Sequence, residues 1–464
     1  MKNETRSPAK PTSKRPRSPS LFETVAQSLA NQLPSLSNAA PCCASLADRQ
    51  WNRHCLLSEE SWSSSTPKFG SGSPSGSIGD ETLVGTISES DTQPSREPLN
   101  GSIRWSSDSS ASVWEAVHGV ETHEVVEGLA ARYGRVSNMV ILDRSYRTFL
   151  NKARTAALFY KVMNHVAVVS GDPLCDPDLF GEILNEFKAY RKKHHWRLAF
   201  VGASDILAKY ARQQHWKTIH FATERVLNPI TNDVLSERSG KRMIVQHKQL
   251  LDPIKGGISL GVYMPAYRQD QRLQSELVAM YNAWCQQQNQ TTTPKAFITV
   301  YNPFDFPNLM LYIYTQAADG SPNGFAALRW MGATQGYHID PCIAAPNSPK
   351  GITDLLVFAA MALVNQLGCP YLSLGCEPLA VLDEVTGMSP TVAKLVRSMH
   401  TAIFQRLPIS GKKAYHDKFR PDADQESKLY LVFPSGGLAL LQQLVAVTHI
   451  ANISFRRLLR AKAS

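Results

Sequence analysis

The stretch HIDPCIAAPNSPKGITDLLVFAAMALVNQLGCPYLSLGCEPL, residues 338–379, decides how this chain is read. A polar loop (Asp340, Pro349, Lys350, Gly351) feeds an apolar-faced helix over 352–367. A short strand, YLSL, comes next and ends in a second loop, Gly375-Cys376-Glu377-Pro378. Strand, helix and strand in that succession predict a layered α/β unit, with ionisable residues in loops where a core has no use for them. About forty residues downstream, KFRP (418–421) precedes another apolar strand, LYLVF.

Outward from this unit the same alternation recurs. Ala167 to Ser170 reads as a buried strand, Asp178 to Lys193 as a helix, LAFVGAS (198–204) as a strand and Asp205 to Gln214 as a helix. Val113 to Tyr133, Arg268 to Gln288 and Thr391 to Gln405 read as further helices. LMLYIYTQA and FAALRWMGA form a meander that leads into GYHIDPCIAA. The expected fold class is α/β (α+β), two mixed-sheet units with a boundary near 265/266: 113–265 and 266–464, the second carrying most of the chemistry.

Residues 1–112 are rich in Ser, Pro and Gly and bury too little to offset their chain entropy, which predicts a disordered tail. Within it, Leu21, Phe22, Val25, Leu29 and Leu33 fall near helical spacing, and a weak, transient helix is expected there. The first hundred residues hold ten Lys+Arg and ten Asp+Glu, so the formal net charge of +10 sits on 101–464. That excess suits a polyanion or an anionic lipid surface, or is simply a basic face. Eight cysteines show neither CxxC pairs nor metal-ligand spacing, as reduced thiols of a cytoplasmic protein would. Cys42 and Cys43 could be acylated, and Phe455 to Arg460 could lie on an anionic membrane. The basic start lacks the apolar core of a secretory signal, and no run of eighteen apolar residues could span a bilayer. His194, His195, His220, His247 and His338 have no metal spacing, and neither a GxSxG elbow nor a Walker A loop occurs.

Six motifs in order carry a resemblance: VVSGDPLCD (168–176), LAFVGAS (198–204), LSERSGKRMIVQHKQ (235–249), APNSPKGITDLLVF (345–358), YLSLGCEPL (371–379) and KFRPDADQESKLYLVF (418–433). The chain resembles the lysylphosphatidylglycerol-synthetase C-terminal-like family of aminoacyl-tRNA-dependent lipid aminoacyltransferases. Among its branches it looks most like the free-standing fungal ergosteryl-glycine synthases. The resemblance implies tandem GNAT-like (acetyltransferase-type) domains, an aminoacyl-tRNA co-substrate (glycyl-tRNA in that branch) and no cofactor. It also implies ergosterol as acceptor and a cytoplasmic protein touching the membrane peripherally. Where lipid-aminoacylating relatives carry Asp-Leu-Met-Arg, this chain has Asp340-Pro341-Cys342-Ile343. The lost arginine favours an uncharged acceptor over phosphatidylglycerol, which stays the alternative.

For that reaction a lipid hydroxyl must be oriented and deprotonated and an oxyanion stabilised. Lys418 and Arg420 are the expected electrostatic stabilisers, while Asp340 would hold the donor ammonium or act as base, with Glu377 a second candidate base. Lys350 beside Gly351 would meet tRNA phosphate, Asp354 would support that loop or cap its helix, and Arg238, Lys241, Arg242 and Lys248 would form a phosphate-contacting face. Two other readings compete with this one. An acyl-CoA-dependent acetyltransferase finds only an incomplete pyrophosphate loop in Arg329 to Thr334. A non-catalytic RNA or membrane adaptor has to explain why Asp340, Lys350, Glu377 and Lys418 are present.

Overall fold

A computed structural model describes residues 19–33, 120–290, 302–405, 410–435 and 438–450. Cys42, Cys43 and the 455–460 segment lie outside the described residues. After the helices α1 (Leu21–Ala30) and α2 (Val120–Tyr133) come β1 (Arg147–Leu150), β2 (Ala157–Met163), β3 (Val166–Ser170), α3 (Phe180–Lys193), β4 (Arg197–Ala203), α4 (Asp205–Gln213) and β5 (Lys217–Leu227). Then follow α5 (Lys241–Leu251), β6 (Ser259–Tyr263), α6 (Gln271–Gln290), β7 (Met310–Gln316), β8 (Pro322–Met331), β9 (Gly336–Ala344), α7 (Ile352–Gln366) and β10 (Leu372–Pro378). The chain continues through β11 (Val385–Thr386), α8 (Pro390–Phe404), α9 (Ser410–Asp417), β12 (Ser427–Phe433) and α10 (Leu438–Ile450).

The strands form one mixed sheet, in the order β1-β2-β3-β4-β12-β5-β10-β9-β8-β7-β6, with β11 paired to β5 off that path. The mixed α/β expectation is met. Two parallel pairs, β3/β4 and β9/β10, each have a helix crossing between their strands, and all other pairings are antiparallel. The closing strands are exchanged: β4 pairs with β12, β10 pairs with β5, and β5 and β12 pair with each other. Hydrogen bonding therefore runs unbroken across the expected 265/266 boundary, and β6, from before it, pairs with β7, from after it.

Helix α7 is apolar on every side; Ile352 and all residues from Leu355 to Val364 are buried. Such a helix needs a cover on each face. One cover is α1, whose Leu21, Val25, Ala26 and Leu29 are buried in the same cluster. This corrects the expectation of a transient helix in the tail. Ser20 and Glu23 form a capping box, and Leu21 N donates to Glu237 Oε1 at 2.6 Å. Gln32 holds the edge strand: its Nε2 donates to Leu260 O at 2.8 Å, and its Oε1 accepts from Val262 N at 3.0 Å. The short helix is stable because tertiary burial adds to propensity.

Candidate functional site

The parallel strands β9 and β10 pair only at Leu372↔Tyr337 and Ser373↔His338. Beyond them β10 bulges at Ser373/Gly375 and runs along β5 instead. Gly375, at φ 90, makes the bend, and a Cβ there would lie 3.0 Å from His338 Cε1. The carboxyl ends of β9 and β10 thus diverge, the place where ligand crevices form in sheets of this kind. Asp340 and Cys342 belong to β9, and Cys376 and Glu377 to β10. The strand read over GYHIDPCIAA is met and carries Asp340 and Pro341, so Asp340 is not in the loop ahead of α7; Glu377, expected in a loop, also lies on a strand, which continues to Pro378.

Three motifs far apart in sequence meet beside this divergence. Lys418 Nζ donates to both Asp354 oxygens at 2.8 Å and lies 4.3 Å from the Tyr415 ring centre. Asp354 sits in the first turn of α7 but does not cap it; the N-cap is Gly351, at φ 98, with no side-chain cap. Arg420 has a left-handed backbone (φ 55), Asn232 Nδ2 donates to its carbonyl at 3.2 Å, and its Nε donates to Ser239 Oγ at 3.0 Å. Ser239 precedes Gly240, the similarly uncapped N-cap of α5. Gln246 Nε2, midway along α5, donates to Lys350 O at 2.7 Å and so ties α5 to the start of α7. Two uncapped helix N-termini, flanked by Lys350, Lys418 and Arg420, concentrate positive potential where anions bind well.

The remaining basic candidates divide. Arg238 is tied to Asp233 at 2.9 Å and Lys248 to Glu237 at 3.0 Å, both largely exposed. Lys241 and Arg242 are exposed and have no ion-pair partner among the described residues.

Glu377 belongs to a second, adjoining network. Its Oε2 lies 3.4 Å from Arg225 Nε and its Oε1 3.3 Å from Lys413 Nζ. Arg225 also reaches Asp417 at 2.5 Å and Glu426 at 2.9 Å. His416 Nδ1 stands 3.8 Å from Glu377, but burial and then Lys412 depress its pKa to about 3, so no ion pair forms. Glu224 pairs across to Cys376 and accepts from Ser427 Oγ at 3.1 Å; burial raises its pKa. The sequence reading did not single out Arg225, Glu224, Lys413, Tyr415 or His416. The one available signal was KKAYHD, which directly abuts KFRP.

Two buried histidines complete the surroundings. His247 packs edge-on to Phe358, and neither ring nitrogen has a hydrogen-bond partner among the described residues. Burial lowers its pKa to about 4, with Asp354 opposing and Lys418 reinforcing the shift. His338 is lowered to about 3 by burial and then by Arg329. The Cys342 thiol, 3.6 Å from Thr353 O, is pushed up by burial and by Asp340 and Asp354, and stays protonated. Ile343 is buried in the core.

Comparison with known proteins follows the same outline. The family described as phosphatidylglycerol lysyltransferase, C-terminal, matches residues 128–433. The lysylphosphatidylglycerol biosynthesis bifunctional protein LysX of Rhodococcus jostii is 23% identical over 255 residues, 54% of this chain and 22% of that one. The MprF-like domain protein Rv1619 of Mycobacterium tuberculosis is 26% identical over 230 residues, 48% of this chain and 46% of its own length. This chain thus spans less than half of either relative. Among solved structures, L-PGS from Bacillus licheniformis superposes with a TM-score of 0.52 at 16% identity, covering 74% of this chain and 95% of that one. A C-terminal domain from Agrobacterium fabrum, described as that of a lysylphosphatidylglycerol synthetase, gives 0.53 at 18% identity, over 72% and 98%. At these identities the likeness establishes the fold.

Proposed function

This chain belongs to the phosphatidylglycerol lysyltransferase C-terminal family, and from that premise we propose that it transfers an amino acid from aminoacyl-tRNA to the hydroxyl of a membrane lipid. The observation that carries this reading is the convergence of Lys418, Arg420, Lys350 and two uncapped helix starts beside the divergence of β9 and β10. Such a cradle suits the phosphates next to a tRNA 3′ end.

In the proposed reaction the lipid oxygen attacks the ester carbonyl and the bond to the tRNA ribose oxygen breaks. The hydroxyl proton ends on that departing oxygen. One ester replaces another, so the donor is already activated. Lys418 and Arg420 stabilise the oxyanion or hold the terminal phosphates, and Lys350 with the Gly351 amide takes the next phosphate. Arg238, Lys241 and Arg242, around the start of α5, extend this face along the tRNA, while Lys248 further down the helix is held by Glu237. Asp354 positions Lys418 through their ion pair. Asp340 holds the donor ammonium or accepts the proton. Glu377, held by Arg225 and Lys413, fixes local charge beside the site and is the second candidate for accepting the proton.

For the finer identity we propose glycine as the amino acid and the 3β-hydroxyl of ergosterol as acceptor. Support for the acceptor is chemical: residues 340–343 carry no cation for a phosphate headgroup, and residue 343 is a buried isoleucine. The test is purified protein with a panel of charged tRNAs, offered ergosterol or phosphatidylglycerol, and scored for a new ninhydrin-positive lipid. Product with sterol and glycyl-tRNA supports the full reading. Product with phosphatidylglycerol alone removes the sterol, and tRNA-ester turnover at the uncatalysed rate removes the activity.

A further inference from the structure

Helix α5 carries its charges on one outward stripe. Lys241, Val245, Lys248 and Gln249 are exposed along it, with Arg242 beside them. Val245 is 55% exposed in the middle of the stripe. Just past the helix the chain turns through Asp252-Pro253-Ile254-Lys255, and Ile254 is 95% exposed, the most exposed of the large apolar side chains described.

This turn is firmly built. Asp252 Oδ1 accepts from Ile254 N at 2.9 Å and from Lys255 N at 3.1 Å, while its carbonyl accepts from Gly256 N at 3.0 Å and Gly257 N at 2.9 Å. Gly256 packs so closely on α5 that a Cβ would fall 2.2 Å from Leu250 O. The isoleucine is thus held out into solvent on a fixed tip, with Lys255 next to it.

We propose that this tip and the lower part of the α5 stripe form a docking surface for a bilayer containing anionic lipid. A nucleic acid would use the lysines but gain little from an isoleucine and a valine among them. A membrane uses both, since the cations meet anionic headgroups while the apolar tip enters the boundary beneath. The stripe begins one residue after Gly240 and so is continuous with the candidate site. The proposal rests on the membrane-lipid reading for its purpose, but its test does not.

The full chain is mixed with phosphatidylcholine vesicles, with or without about 30 mol% phosphatidylserine, in the absence of tRNA and sterol, and sedimented. Binding is expected with phosphatidylserine and is weakened by salt. Ile254→Asp and Lys255→Glu should each lower the partition constant about five- to tenfold, and Ile254→Leu should leave it unchanged. These side chains face solvent, and an unchanged melting temperature checks that the variants fold. No binding by wild type, or wild-type binding by both charged variants, overturns the proposal. So does a loss of tRNA retention on filters with vesicle binding intact, which would assign the surface to nucleic acid. Transfer to a detergent-solubilised acceptor is measured in parallel. If it is absent while vesicle binding responds to the variants, the aminoacyltransferase reading fails and the docking surface stands.

Discussion

Lys418 Nζ lies 2.8 Å from each carboxylate oxygen of Asp354, joining the turn ahead of β12 to the first turn of α7. The lysine side chain is 42% exposed, so the pair adds little to stability, on the order of 1 kcal/mol or less. A function for Lys418 is therefore separable from folding. Lys418→Ala is expected to lower aminoacyl transfer by about 10²–10³-fold, the scale of losing one oxyanion stabiliser. Its melting temperature should stay within about 2 °C of wild type. Wild-type turnover would remove Lys418 from the mechanism.

Arg225 is the hub for three carboxylates, Glu377, Asp417 and Glu426, and its side chain is 14% exposed. Arg225→Ala takes from Glu426 its ion-pair partner and leaves Lys413 as the cation shared by Glu377 and Asp417. We expect a loss of about 3–5 kcal/mol in urea unfolding. Glu377→Gln should cost far less; a collapse of transfer in that variant, with stability kept, would identify Glu377 as the base.

Helix α1 should matter to the fold although it lies about a hundred residues before the family match begins. Leu29 is fully buried, and Leu29→Ala should cost about 2–5 kcal/mol. Gln32→Ala strips the partners from Leu260 O and Val262 N on the edge strand β6. Light scattering should then detect concentration-dependent self-association that wild type lacks, as an uncovered edge invites strand pairing.

The buried histidines set an acid limit. Burial lowers His247 to about 4 and His338 and His416 to about 3, from an ordinary value near 6.5. A depressed pKa means that the unfolded chain binds more protons than the folded one. Stability should therefore fall as pH drops below about 6.5 and go on falling toward 4, by up to about 1.4 kcal/mol per pH unit per histidine. His247→Phe keeps an aromatic ring against Phe358 and should flatten this slope between pH 6 and 4. An unchanged slope in denaturant titrations at several pH values would exclude His247 as a contributor.

The exchanged strands make the two halves interdependent. A fragment of 266–464 would present β10 without β5, and β12 without β4 or β5. It should show neither a cooperative thermal transition nor dispersed amide resonances, and adding residues 1–265 in trans should restore both. A fragment that folds alone would contradict the exchange.

Much of the fold was legible because it is written in short periods. Apolar runs such as Val166 to Ser170 and Leu372 to Leu374, and the unbroken apolar face of Ile352 to Val364, identify strands and a buried helix without knowledge of their neighbours. A proline misled at Glu377-Pro378, where pairing with β5 carried the strand past residues that ordinarily end it. In α1, spacing suggested the helix, but its permanence depended on the α7 face it covers.

By itself the sequence determined the alternation of strands and helices, the family and the kinds of residues available for chemistry. Those follow from neighbours two to four positions apart and from motifs in fixed order. Only the tertiary structure decided which of these residues meet. Lys418 and Asp354 are 64 positions apart, and Arg420 and Ser239 are 181 apart. Such pairs form where strand exchange and the divergence of β9 from β10 bring loops together, and no local period encodes that closure. Exposure was settled at the same level: Ile343 and Ile254 are the same residue type, one buried in the core at 2% and the other held out at 95%.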